Sequence, residues 1–212
     1  MRRLGFAFAT IFVASPASAL DCELAKSVAE KAICSDAEAR AADEALGRSY
    51  NQLRAQLPNE EKASLRLSQI AWIRDRDIGC LAPSAIKPLT TCLAGETKRR
   101  QSLLEAKPLA GEIAAGSVRP TFVVRPAAIG SASLNIKALK FTGDGAWQPK
   151  MNSSIDRLVK DAIADSDITD SHQEPAVPGD SYFVDLSVTL SFASPSLVSV
   201  SAEYENELGQ AH

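Results

Sequence analysis

The spacing of apolar residues changes near the middle of the chain. From about Glu23 to Ala106 the apolar positions recur at helical spacing, and Gly and Pro are rare. One helix is predicted from Asp36, a favourable N-cap, to Leu57, which Pro58 follows. Its apolar face comprises Leu46, Tyr50, Leu53 and Leu57.

Three further helices are predicted around this one. The second begins at an Asn59 N-cap and ends near Gly79, and its inner side carries Leu65, Ile70, Trp72 and Ile73. The third runs from about Lys87 to Ala106, and a shorter helix at the front covers Leu24 to Ile33. Short connections favour antiparallel neighbours, so this half is expected to be a small helical hairpin bundle.

The second half of the chain has the two-residue period of strands. Residues 107–119 contain Pro108, Gly111 and Gly116 and are predicted to be a linker. Two strands are expected at 121–125 and 134–141, followed by a helix at 152–164 and a polar loop at 165–180. Two more strands are expected at 182–192 and 197–204. The last two strands are predicted to form a β-hairpin. The fold class is therefore α+β: a disulfide-bonded helical hairpin bundle (20–106), then a small α+β domain (120–212) whose sheet packs on one helix and which is expected to be incomplete.

The first nineteen residues are typical of a secretory signal. Arg2 and Arg3 precede a short apolar run, and cleavage is expected near Ala19. The run is too short to span a bilayer. Lipidation at Cys22 is the closest alternative, but Asp21 is an unfavourable residue before a lipid-acceptor cysteine. A periplasmic or secreted bacterial protein is expected.

Net charge narrows the classes of partner. Without Arg2 and Arg3 the chain has 21 basic and 26 acidic residues, a net charge of about −5. Residues 20–106 are balanced at 13 of each, whereas residues 107–212 carry 8 basic and 13 acidic side chains. This argues against nucleic acid, which requires a basic surface. A basic protein would be attracted.

Four cysteines indicate oxidation outside the cytoplasm. Three pairings are possible, and Cys22–Cys34 with Cys80–Cys92 is favoured because each bridge then spans one short helix or loop. Zinc is the alternative, but close Cys-x-x-Cys spacing is missing and the chain has only two histidines. No metal or cofactor is expected.

The helical half carries a set of spaced motifs. They are Asp21-Cys22, Ile33-Cys34, Asp43-x-x-Leu46-x-x-x-Tyr50, Gln69-x-x-Trp72, Arg76-Asp77-x-x-Cys80 and Cys92-Leu93 with Thr97 and Arg100. In this order the segment 20–105 resembles the lysozyme inhibitor LprI N-terminal-like domain. The resemblance implies a disulfide-bonded helical module of secreted or lipid-anchored bacterial proteins, whose founding member inhibits lysozyme. Residues 120–212 are similar, more weakly, to the PdaC-type domain of bacterial envelope proteins.

Each motif residue also has a structural interpretation. Trp72 could stack on a ligand, but at helical spacing it is expected in the core. Asp43 and Arg76 are expected to bridge two helices, with Tyr50 and Gln69 supplying hydrogen bonds in the same seam. His172, Asp165, Asp167 and Asp170 are interpreted as solvated, and His212 lacks recognisable metal partners.

No nucleophile or metalloprotease motif is present, so a non-enzymatic role is expected. The leading hypothesis is an inhibitor-like protein that occludes a basic lysozyme-type glycoside hydrolase. The alternative is a non-inhibitory scaffold or adaptor that holds cell-wall polymer.

Overall fold

Four helices precede a five-stranded mixed sheet in the computed structural model. It describes residues 20–114, 116–126, 133–143, 145–172, 180–194 and 196–210. The helices of the first half are α1 (Val28–Ser35), α2 (Ala37–Gln56), α3 (Asn59–Leu81) and α4 (Leu89–Leu104). The second half contains β1 (Ala110–Gly111), β2 (Val118–Arg125), β3 (Ser133–Phe141), α5 (Gln148–His172), β4 (Asp180–Ala193) and β5 (Val198–Gln210). The predicted α+β class is confirmed.

Local capping explains where the helices begin. The Asp36 side chain accepts a hydrogen bond from the Ala39 amide at 2.8 Å, so α2 begins where it was predicted. The α1 helix starts later than Leu24, because Ser27 and Glu30 form a reciprocal capping box just before Val28. The prediction of Asn59 as an N-cap is wrong by one position: Pro58 is the N-cap residue, without a side-chain cap.

The sheet is built around β4. β3 and β4 run parallel and are joined through α5, whereas β5 pairs antiparallel with β4 and forms the predicted hairpin. One face of the sheet packs on α5, through side chains that include Ile136, Leu186 and Ile155. The polar loop predicted at 165–180 is wrong as far as His172, because α5 continues to that residue.

The opposite face of β2 packs on the helical half. Phe122 of β2 is 4 % exposed and joins a core that includes Leu46, Leu65 and Leu104. Nearby, both terminal nitrogens of Arg119 contact the Glu61 carboxylate of α3, at 2.6 and 3.2 Å. The helices and the sheet therefore share apolar surface.

The segment 107–119 includes β1 and the start of β2. β1 pairs in parallel with the end of β4, where Gly111 has φ +81° and leaves no room for a side chain against the Ala193 carbonyl. The division of the chain at 106 and 120 stays a prediction. The predicted signal, residues 1–19, lies outside the described residues, as does His212. Among the described helices, none is long and apolar enough to cross a membrane.

A carboxylate at the end of α4 ties that helix to α2. Glu105 Oε1 accepts hydrogen bonds from Ser49 Oγ at 2.5 Å and from Gln101 Nε2 at 2.8 Å, and Lys107 pairs with Oε2. Burial by itself raises the pKa of Glu105, but the hydrogen bonds from Lys107, Ser49 and Gln101 outweigh it, so the pKa lies below its ordinary value of 4.5.

We predict that Phe122→Ala lowers the free energy of unfolding by about 3–4 kcal/mol, since it leaves a cavity between β2 and the helices. Because both halves line that cavity, chemical denaturation monitored by circular dichroism should show helix and sheet lost together at a lower midpoint. Phe122→Leu, which keeps most of the volume, should cost about 1 kcal/mol. Loss of sheet signal alone would contradict the shared core.

We predict that Glu105→Gln costs about 1 kcal/mol of stability at pH 7, because the amide is a weaker acceptor than the carboxylate. A carboxyl group whose folded pKa is lowered stabilises above its ordinary pKa, and that contribution disappears as pH falls through the lowered value. The difference from wild type should therefore shrink below about pH 4. Exposed Glu44→Gln is the control, and urea titrations at several pH values are the measurement; a difference independent of pH would refute the assignment.

Candidate functional site

A groove lies between α2 and α3, and α4 packs against both helices. We call it the motif groove. It encloses about 340 Å³ and is lined by Leu20, Glu30, Ile33, Asp43, Leu46, Gly47, Tyr50, Asn51, Gln69, Trp72, Ile73, Arg76 and Asp77. Five motif residues given a structural role from the sequence, Asp43, Tyr50, Gln69, Trp72 and Arg76, are in this lining, whereas Thr97 and Arg100 are not. The structure therefore brings together residues that are more than thirty positions apart in the chain.

Two buried guanidinium groups lie close to the Trp72 ring system. The Arg76 guanidinium carbon is 4.9 Å from the centre of the Trp72 ring system, and that of Arg100 is 5.8 Å away. Arg100 also lies 5.4 Å from the Phe122 ring. The Trp72 side chain packs against the core that contains Leu65, as the core interpretation predicted. Part of the same side chain lines the motif groove.

The two arginines differ in how their charge is compensated. Arg76 donates from Nε and Nη2 to Asp77 Oδ1 at 2.9 and 2.8 Å, and from Nη1 to Thr97 Oγ1 at 3.4 Å. Arg100 instead donates to neutral acceptors, Gln69 Oε1 at 3.1 Å and Ser68 Oγ at 3.0 Å. No carboxylate in the described part of the chain is within ion-pair distance of Arg100.

Burial lowers the pKa of Arg100 to about 10, and the nearby Tyr50 phenol acts in the opposite direction. The guanidinium therefore stays charged at neutral pH while it is removed from water. Its stabilisation rests on the rings of Trp72 and Phe122 and on two neutral hydrogen bonds.

The expected bridge between Asp43 and Arg76 is wrong. Arg76 pairs with its neighbour Asp77, whereas Asp43 Oδ2 accepts a hydrogen bond from the Leu20 amide at 3.1 Å. Asp77 is next to Arg76 in the chain, so this pair forms at a small entropic cost, which favours it over a bridge to another helix.

The roles expected of Tyr50 and Gln69 are met only in part. Gln69 accepts the hydrogen bond from Arg100 and so belongs to a seam between α3 and α4, not between α2 and α3. Tyr50 lines the motif groove and packs on the core of Leu46 and Leu53. Its hydroxyl has no hydrogen-bond partner among the residues described here.

The disulfides hold the motif groove at one end. Cys22 pairs with Cys34, and Cys80 with Cys92, the pairing favoured from the sequence. The first bridge fixes the N-terminal segment on α1, so that Leu20 reaches Asp43. The second joins the end of α3 to the start of α4 and fixes their separation.

The rim of the motif groove is acidic and partly apolar. Among the side chains of the lining, Glu30, Asp43 and Asp77 are carboxylates, and Arg76, which pairs with Asp77, is the one cation. Backbone hydrogen bonds from Ser27 and Lys26 lower the pKa of Glu30, so that carboxylate is ionised at neutral pH. Such a rim is suited to a basic side chain or a basic protein surface.

Two apolar residues of α3 were assigned to the wrong side. Ile70 and Ile73 were predicted on the inner face but are 52 % and 40 % exposed, and the buried positions are Leu65, Ser68, Arg76 and Cys80. Polar residues occupy inner positions because they bond across to α4, which apolar periodicity cannot indicate. Ile73 lies in the motif groove as an exposed apolar contact.

Comparison with known proteins identifies one family. Residues 22–122 match the family described as lysozyme inhibitor LprI. The match extends past the expected boundary at 105 and ends at Phe122, the residue by which β2 enters the helical core. No curated protein and no solved structure matches the chain. The weaker resemblance of residues 120–212 stays a prediction.

We predict that Trp72→Leu lowers stability by about 2 kcal/mol, because the ring both fills the core and lies against two cations. A double-mutant cycle with Arg76→Met should give a coupling of about 1 kcal/mol, measured from urea unfolding. Arg74→Met, on the same helix but 72 % exposed in its side chain, is the matched control with no coupling. A coupling of zero between Trp72 and Arg76 would contradict this packing.

Proposed function

We propose that the protein inhibits a lysozyme-type glycoside hydrolase by binding its surface, since residues 22–122 match the lysozyme inhibitor LprI family. The single observation that carries this proposal is the convergence of Asp43, Tyr50, Gln69, Trp72 and Arg76 on one open groove. In this proposal the protein occludes the partner's cleft and performs no chemistry of its own.

Charge supports a basic partner. The motif groove has three carboxylates and one paired cation. An acidic groove accelerates encounter with a basic enzyme and selects the orientation in which a cationic side chain enters it. The exposed side chain of Ile73 supplies apolar area beside those carboxylates. Apolar contact then slows dissociation, whereas charge mainly speeds association.

The proposed site of action is the bacterial envelope. Two disulfides stabilise the helical half, and disulfides persist in oxidising compartments. Together with the signal expected at residues 1–19, they support a periplasmic or secreted protein that meets lysozyme outside the cytoplasm.

We predict that Ile73→Lys weakens inhibition of lysozyme at least about tenfold, since it places a cation and a long side chain in the motif groove. Ile78→Lys is the matched control: it adds the same charge to the same helix at a position that is 64 % exposed and outside the groove lining. Turbidity assays with c-type and g-type lysozymes give the inhibition constants. Increasing salt should weaken inhibition by the wild type.

Two results would remove the proposal. One is a lack of inhibition of either lysozyme class at micromolar protein. The other is equal loss of inhibition in both variants. That result would mean that the contact lies elsewhere or that inhibition depends only on the net charge of the protein.

A further inference from the structure

A second and larger hollow lies on the other side of α3, between that helix and the open face of the sheet. We call it the sheet-face cleft. It encloses about 670 Å³ and is lined by Leu67, Ile70, Ala71, Arg74, Asp75, Val124, Arg125, Pro126, Ser133, Leu134, Asn135, Phe183, Val184, Asp185 and Glu205. This volume is in the range of small-molecule sites. None of the residues that line the motif groove lines this cleft.

One row of side chains crosses four strands on the floor of this cleft. The strand registers place Val124 opposite Asn135, Asn135 opposite Asp185, and Asp185 opposite Glu205. Neighbouring strands are about 4.8 Å apart, so the three polar groups span about 10 Å. They project from the sheet face opposite α5.

The row contains an acceptor that the protein leaves unused. Asn135 Nδ2 donates to Asp185 Oδ2 at 2.6 Å, while Asn135 Oδ1 is buried and has no hydrogen-bond donor among the described residues. The Glu205 side chain, exposed at the end of the row, likewise has no partner there. A buried acceptor without a donor is costly, and a ligand hydroxyl could satisfy it.

Two ion pairs lie in or beside the cleft, one of them made by Lys137, which is outside the lining, and Arg125 in the lining is not free either. Lys137 Nζ lies 3.1 Å from Asp185 Oδ1, and Arg74 Nε lies 3.1 Å from Asp75 Oδ1. The cleft therefore presents alternating acceptors and donors with little net charge. That pattern suits hydroxyl groups, each of which donates and accepts, better than an ion.

Apolar surface completes the site. Phe183 on the floor and Ile70 on the α3 wall face the cleft, and Ile70 is half exposed. The apolar faces of sugar rings can pack on such side chains while their hydroxyls reach the polar row. A peptide strand would instead pair with a sheet edge through its backbone, and this row lies on a face.

We propose that the sheet-face cleft binds a neutral oligosaccharide, with Asn135 and Glu205 accepting hydrogen bonds from its hydroxyls and Phe183 and Ile70 packing on its rings. This site is separate from the motif groove, so one chain could hold a glycan while the groove engages a protein. The proposal does not depend on inhibition.

The test uses the full oxidised chain, without lysozyme. Chitotetraose, cellotetraose and maltotetraose are titrated by calorimetry and by amide chemical shifts, with tetralysine as a charged competitor. We expect saturable binding of at least one oligosaccharide, with shifts at Asn135, Phe183 and Glu205. Glu205→Ala and Asn135→Leu should each weaken it about fivefold to tenfold.

Glu203→Ala is the matched control, because Glu203 lies two residues along β5 on the same face, opposite Ser187, and outside the cleft lining. It should bind as wild type does, and so should Ile73→Lys. Three results would overturn the proposal: no binding of any of the three sugars at millimolar concentration, equal weakening by Glu203→Ala and Glu205→Ala, or binding of tetralysine alone. Glu205 is exposed, so its variant remains informative even if Asn135→Leu does not fold.

Discussion

The packing of the Arg76 and Arg100 guanidinium groups against Trp72 is the constraint on which the helical half depends. Removing two cations from water is costly, and here two aromatic rings, one carboxylate and three neutral acceptors compensate for it. The hydrogen bonds from Arg76 to Thr97 and from Arg100 to Gln69 and Ser68 join α3 to α4. The motif groove lies beside this seam, between α3 and α2.

A bundle of this size has a thin apolar core, and the structure supplements it at both ends. Two disulfides hold the end near α1. They stabilise it mainly by reducing the conformational entropy of the unfolded chain, and less by adding contact area. At the other end β2 supplies Phe122 to the core and Arg119 to an ion pair with α3. The family match ends at Phe122, which agrees with a packing unit that includes the first long strand. Helix α3 then forms one wall of the motif groove and one wall of the sheet-face cleft.

Prediction from the sequence succeeded where local chemistry decides the structure. Asp36 caps α2 and Pro58 ends the segment before α3, so the bounds of α2 agree closely with expectation. It failed where a local partner competes with a distant one, as for Arg76, which pairs with the adjacent Asp77 and not with Asp43 of α2. It also failed for Ile70 and Ile73, because the inner positions of α3 are taken by polar residues whose partners lie on α4.

The amino-acid sequence by itself determined the helical and strand periods, the cap residues, the cysteine spacing and the motif set, since each depends on neighbours within a few turns of chain. Only the tertiary structure decided that Asp43, Tyr50, Gln69, Trp72 and Arg76 share one groove, and that Asn135, Asp185 and Glu205 form one row. The separation between α2 and α3 and the register of the strands are set by packing between distant segments of the chain. No local pattern encodes that packing, so both surfaces became visible only in the fold.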